Sequence, residues 1–172
     1  MATVIDASAI FSGAPVSLTV GGIECGATIT VPTFEIAVES GSPAFTNAGG
    51  PVMGTRINRK ATPSLTVEIT EITAQKIAWA MPGSSEVGGL ITWDLGRLAD
   101  DQYQDVIVTS QPSSGGDVLV LTLENCTSAE NQKLDFDDDP AKPMSLSLKF
   151  TAHYDPTTPK KVPFTLELTG GS

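Results

Sequence analysis

Residues able to do chemistry are sparse and scattered in this chain of 172 residues. Its one histidine, His153, falls on the polar side of the alternating run MSLSLKFTAHY at 144–154. A histidine-based triad needs a nucleophile and an orienting acid beside it. No nucleophile-elbow pattern occurs, so His153 reads as a surface or interface histidine. Cys25 and Cys126 match no metal-ligand spacing. They read as buried free thiols, with a disulfide as the alternative. The run DFDDDP at 135–140 gathers Asp135, Asp137, Asp138 and Asp139, and clustered carboxylates suit hard cations. An EF-hand would place glycine where Pro140 stands and a bidentate glutamate where Leu146 stands, so a solvated charge run is expected. The second acidic patch, ADDQYQD at 99–105, carries Asp100, Asp101 and Asp105 and reads the same way. AGGPVMGTR lacks the Lys-Ser/Thr of a phosphate loop and leads into no helix. Neither an enzyme nor a cofactor or metal protein is expected.

Charge is more informative than catalysis. Twenty acidic residues face ten basic ones, a formal net charge of -10. Binding that grips nucleic acid rests on Lys and Arg neutralising phosphates, so a DNA-holding surface is excluded. A wall past which a polyanion slides is not. Between Glu39 and Glu68 there is no acidic residue, yet Arg56, Arg59 and Lys60 are present. This cationic stretch, SGSPAFTNAGGPVMGTRINRKATP, separates two alternating runs and reads as a long loop at about 40–63. Loops of that length are uncommon in compact domains unless functional or disordered.

The elements that must carry these residues are mostly strands. Sixteen Gly, twelve Pro and abundant Thr, Ser and Val favour short strands and turns over helices. TFEIAVE at 33–39 sets Phe34, Ile36 and Val38 against Glu35, Ala37 and Glu39, and SLTVEIT at 64–70 sets Leu65, Val67 and Ile69 against Thr66, Glu68 and Thr70. Further strands are expected at 16–20, 26–31, 89–95, 103–110, 117–124, 144–154 and 162–168. One helix is expected over about 71–81, capped by Thr70, stopped by Pro82 and Gly83, with Ile77, Ala80 and Met81 on one face and Trp79 as a contact. The expected architecture is a single mostly β domain over 1–172, a β-sandwich or barrel with one short flanking α-helix. Neither a secretory leader nor a membrane span is legible.

The order of parts resembles the major tail tube protein of long-tailed bacteriophages, of the non-contractile siphophage type. TFEIAVE is followed by the Gly-rich stretch GGPVMGTRINRKATPSLTVEIT, the short helix TAQKIAWAMPG and the late strand PMSLSLKFTAHYD. The resemblance implies a structural virion protein, assembled in the host cytoplasm, whose hexameric rings stack into a tail tube for genome delivery. It implies self-association as the main partnership, with tape measure, tail-tip and tail-terminator proteins as others and double-stranded DNA passing without specific binding. Arg56, Arg59 and Lys60 would then help stack rings, and Glu35, Glu39 and Glu68 would face the lumen. The acidic patches Asp100, Asp101, Asp105 and Asp135, Asp137, Asp138, Asp139 would receive the loop of a neighbouring copy. The competing reading is a β-sandwich binding module such as a capsid decoration or an adhesin-like protein.

Overall fold

The computed structural model describes residues 17–26, 28, 30–41, 57–93, 96–110, 118–128, 133–135 and 144–169. The strands are β1 (Ser17–Val20), β2 (Ile23–Glu24), β3 (Thr33–Gly41) and β4 (Ile57–Ile69), followed by helix α1 (Ala74–Ala80). After it come β5 (Ser84–Val87), β6 (Leu90–Trp93), β7 (Gln104–Ser110), β8 (Val118–Ser128), β9 (Lys133–Asp135), β10 (Ser145–Ala152) and β11 (Phe164–Thr169). The fold is the expected mostly β one with a single short helix among the described residues.

Nine strands form one antiparallel sheet in the order β2-β1-β7-β8-β10-β4-β3, with β11 added to β8 and β9 added to β10. Alternation explains which face is dry. Leu146, Leu148 and Phe150 of β10 stand opposite Ile69, Val67 and Leu65 of β4, and all six are almost fully buried. In the other half, Val20 stands opposite Val106, and Val106 opposite Leu123. Side chains from both halves form one continuous core, so the sheet bends on itself into two layers.

The bend is written into β8. Its first part pairs with β11 through Leu123↔Phe164, while its last part pairs with β10 through Cys126↔Ala152. Between them Asn125 takes a left-handed φ of 52°, which asparagine tolerates better than most residues. Three hydrogen bonds hold this fork. Asp105 Oδ1 accepts from Asn125 N at 2.9 Å, Pro163 O accepts from Glu124 N at 2.9 Å, and Asn125 O accepts from His153 N at 3.2 Å.

Three sequence expectations shift. Of the expected strand at 26–31, the described residues hold one isolated bridge, Thr28↔Ile69, and positions 27 and 29 lie outside them. The helix starts at Ala74 rather than near 71, because Thr73, not Thr70, turns its hydroxyl to Lys76 N at 3.3 Å. The third shift is the largest. Residues 57–63, expected as loop, are strand: β3 and β4 form a long ribbon with Val38↔Ala61 and Glu39↔Lys60 in register, and a bulge follows at Glu39/Ser40. The rest of the expected loop, 42–56, lies outside the described residues.

Candidate functional site

The β3, β4 and β10 register assembles a polar face opposite the core. On it Glu35 stands opposite Ser64, Ala37 opposite Thr62, and Glu39 opposite Lys60. Across the other ladder, Glu68 stands opposite Ser147, Thr66 opposite Lys149, and Ser64 opposite Thr151. Period two puts these side chains on one side because their neighbours Leu65, Val67, Leu146 and Leu148 are in the core. The three glutamates singled out from the sequence therefore share a face. Glu35 and Glu39 are exposed, whereas Glu68 is half-buried and accepts a 2.6 Å hydrogen bond from Ser145 Oγ.

The face is less acidic than the three glutamates suggest. Lys60 and Lys149 lie on it too, Lys60 directly across from Glu39 and Lys149 one register step diagonal to Glu68. Three carboxylates against two ammonium groups leave about one net negative charge among a field of Ser and Thr hydroxyls. Lys149 joins the face only through the register with a strand far along the chain, and Lys60, expected in a loop, joins it because residues 57–63 are strand. Opposite charges across a ladder stabilise it modestly.

Of the other predicted residues, Lys60 is exposed on β4, and Arg59 is a backbone position of the same strand. Arg56 lies outside the described residues. Asp100 and Asp101 are exposed in a single 3-10 turn, Asp100–Gln102. Asp105 has a structural task, the hydrogen bond to Asn125 N at the β8 fork. Asp135 is a backbone position of β9, and Asp137, Asp138 and Asp139 lie outside the described residues. The structure therefore gathers the three glutamates on one face.

The groups with chemical potential are occupied in holding the fold. His153 Nε2 and Thr127 Oγ1 are 2.8 Å apart, and the Tyr103 ring meets the imidazole edge-on at 5.3 Å. Burial lowers the His153 pKa, so the ring is neutral at pH 7. Cys25 and Cys126 are buried and free. Burial pushes the Cys25 thiol up to about 11 and the Cys126 thiol to about 12. A buried lysine, Lys76, donates to Cys25 O at 2.9 Å and lies 3.4 Å from Glu71 Oε1, tying α1 to the end of the β1–β2 hairpin.

Two surfaces beside the β3–β4 ribbon stand out among the described residues. Along β3 and β11 the core-side rows overrun the core: Ile36 is 39% exposed, Val38 47%, Leu166 58% and Leu168 61%. The inner ends of those rows meet where the Phe34 and Phe164 rings contact at a tilt of 55°, centroids 5.6 Å apart. Beside them a crevice of about 570 Å³ opens between the β3–β4 ribbon and the segment after β10. Tyr154 spans its root, its hydroxyl accepting from Ala61 N at 3.1 Å and donating to Ala61 O at 2.8 Å.

No protein-family model matches the sequence, and a search of curated proteins returns no match. Solved structures do share the fold. A chain of the anti-feeding prophage tube-terminating cap aligns with TM-score 0.55 at 11% identity, covering 94% of this chain and 95% of that one. A chain of the sheath/tube terminator of the PVC extracellular contractile injection system aligns with TM-score 0.53 at 10% identity over 92% and 94%. A chain of the PVC sheath-tube complex gives TM-score 0.53 at 10% identity over 91% and 92%. Near-complete coverage of both chains means that the whole architecture is shared, at identities that speak for fold alone.

Proposed function

We propose that this protein is a structural subunit of a tail-like tube, in which copies close into hexameric rings and the rings stack. One observation carries the reading: the β3–β4–β10 layer has a dry inner face, a hydroxyl-rich outer face and apolar rows at its margins that a single copy leaves bare. In a ring the outer face of that layer turns to the bore, and neighbouring copies cover Ile36, Val38, Leu166 and Leu168. The uncovered strand edges are then paired, which removes the hazard that open edges present. The fold shared with tube terminators and a sheath-tube complex supports this reading.

A bore of this composition suits a conduit. Hydroxyls keep it wet, and balanced carboxylates and ammonium groups give a passing polyanion no cationic row on which to stall. The cargo in this reading is double-stranded DNA, moved without sequence-specific contact. Arg56 and Arg59 contact the next ring, Lys60 lying instead on the bore face across from Glu39, with tape measure, tail-tip and terminator proteins at the ends and the mature location a virion tail. The role is mechanical, and no catalytic step is assigned. Two of the structures sharing the fold come from a contractile injection system, so the unsheathed subtype draws no support from them.

Negative-stain microscopy of the purified protein, alone and with its tail-initiating complex, tests the reading. Hollow filaments or six-fold rings are expected. Isolated particles at millimolar concentration and in the presence of the initiator would overturn it.

A further inference from the structure

The β5–β6 hairpin has a construction that the tube reading does not use. Gly88 and Gly89, with φ of 62° and 84°, make the tight turn that matches strand twist. The flanking Val87 and Leu90 are 77% and 67% exposed. A free two-stranded hairpin is marginal in water, yet this one is braced at three levels. Glu86 Oε1 accepts from Gly89 N at 2.7 Å, Ser85 and Thr92 share a hydroxyl hydrogen bond of 2.8 Å, and Trp93 Nε1 donates to Pro82 O at 2.9 Å. The bracing holds two bare aliphatic side chains at a fixed tip. Pre-ordering of this kind lowers the entropic cost of docking.

The crevice beside the β3–β4 ribbon offers the complement. Val38, Ala61, Val162 and Tyr154 supply apolar walls, and Lys160 supplies a cationic rim. Such a rim is an exception on a chain of net charge -10. The hairpin carries one charged residue, Glu86, next to the apolar tip. Tip and crevice therefore match in both polarity and sign.

We propose that the Val87–Leu90 tip of one copy seats in the Val38, Ala61, Val162 crevice of a second copy, with Glu86 against Lys160. This deepens the tube reading and rests on it for the identity of the partner. Knob and crevice belong to different elements, so the contact is heterologous, and each copy both gives and receives. Repetition yields a ring or an open stack.

Paired cysteines test it. Val87→Cys with Lys160→Cys in one chain, oxidised under assembly conditions, is expected to give a ladder of covalent oligomers, while each single variant gives none. Native Cys25 and Cys126 are buried and stay out of the reaction. Glu86→Gln keeps an acceptor for Gly89 N and is expected to raise the critical concentration for assembly about fivefold, the scale of a rim charge. Covalent dimers from Val87→Cys alone would mean a tip-to-tip contact and overturn the proposal. Wild-type tubes combined with no ladder from the double variant would overturn it and leave the tube reading standing. A ladder from protein that never forms tubes would support the contact and sink the tube reading.

Discussion

Tyr154→Phe removes one oxygen and two hydrogen bonds, both to the backbone of Ala61. At that point β4 has β3 on one side only, since its ladder with β10 ends at Ser64↔Thr151. Neither the N–H nor the C=O of Ala61 has a ladder partner on the β10 side, and both are half-buried under the segment that follows β10. A typical intramolecular hydrogen bond contributes about 1 kcal/mol net, so the pair contributes about 2 kcal/mol. For a domain of this size a loss of about 2 kcal/mol lowers Tm by roughly 4–8 °C. The location of the loss matters as much as its size. Local opening draws on the least protected elements, and hydrogen exchange at the Ala61 amide is expected to speed up at least as much as the global stability change implies. Calorimetry together with amide exchange read by NMR measures both. A variant whose Tm moves by less than about 1 °C, with Ala61 protection unchanged, would refute the assignment of Tyr154 as the tie between the ribbon and the C-terminal segment.

Asp105→Ala deprives Asn125 N of its carboxylate acceptor and is expected to cost about 1.5–3 kcal/mol, the range for charged hydrogen bonds, seen as a lower urea midpoint; an unchanged midpoint would remove Asp105 from the fork. The cysteines predict both chemistry and pH dependence. Iodoacetamide at pH 8 is expected to leave Cys25 and Cys126 unmodified in the folded chain and to label both once urea unfolds it, read by intact mass. Their raised folded values, about 11 and about 12 against 9.0, mean that the unfolded chain loses these protons first. The stability they contribute is full below pH 9 and disappears as pH rises through 11 and 12. His153 has the opposite dependence. Its folded pKa is lowered by burial, so the unfolded chain takes up a proton first as pH falls below about 6.5. Stability is expected to fall from there, and His153→Gln is expected to flatten that portion of the pH-stability curve.

Where local pattern decides, the sequence was legible. Met144 to Ala152 alternates so regularly that β10 and its dry face follow from period two alone, and Leu65, Val67 and Ile69 do the same for the end of β4. The start of β4 was hidden because INRKATP carries charges and a proline, which read as loop. Pro63 is tolerated where β4 has only one partner, and the polar residues are tolerated because that ribbon leaves the core. SSEV of β5 has no alternation to find, since its hairpin stands off the sheet. The sequence set Ile36 and Val38 on the dry face, yet both are exposed because β3 outruns the core. For the candidate bore face, period two put Glu35, Glu39 and Glu68 on polar sides. The two lysines among them needed the cross-strand register, which no local window contains.

The fork in β8 also sets the order of events during synthesis. One strand must find β7 behind it, then β10 and β11 ahead of it, so its two halves are completed by segments that follow it in the chain. Pairings this distant in sequence close slowly. The inner layer lacks β10 until residue 152 has emerged, and the crevice lacks Val162 until still later. Until then the chain has neither the complete polar face of β3, β4 and β10 nor the complete crevice beside it. The contact proposed between copies thus requires a completed fold.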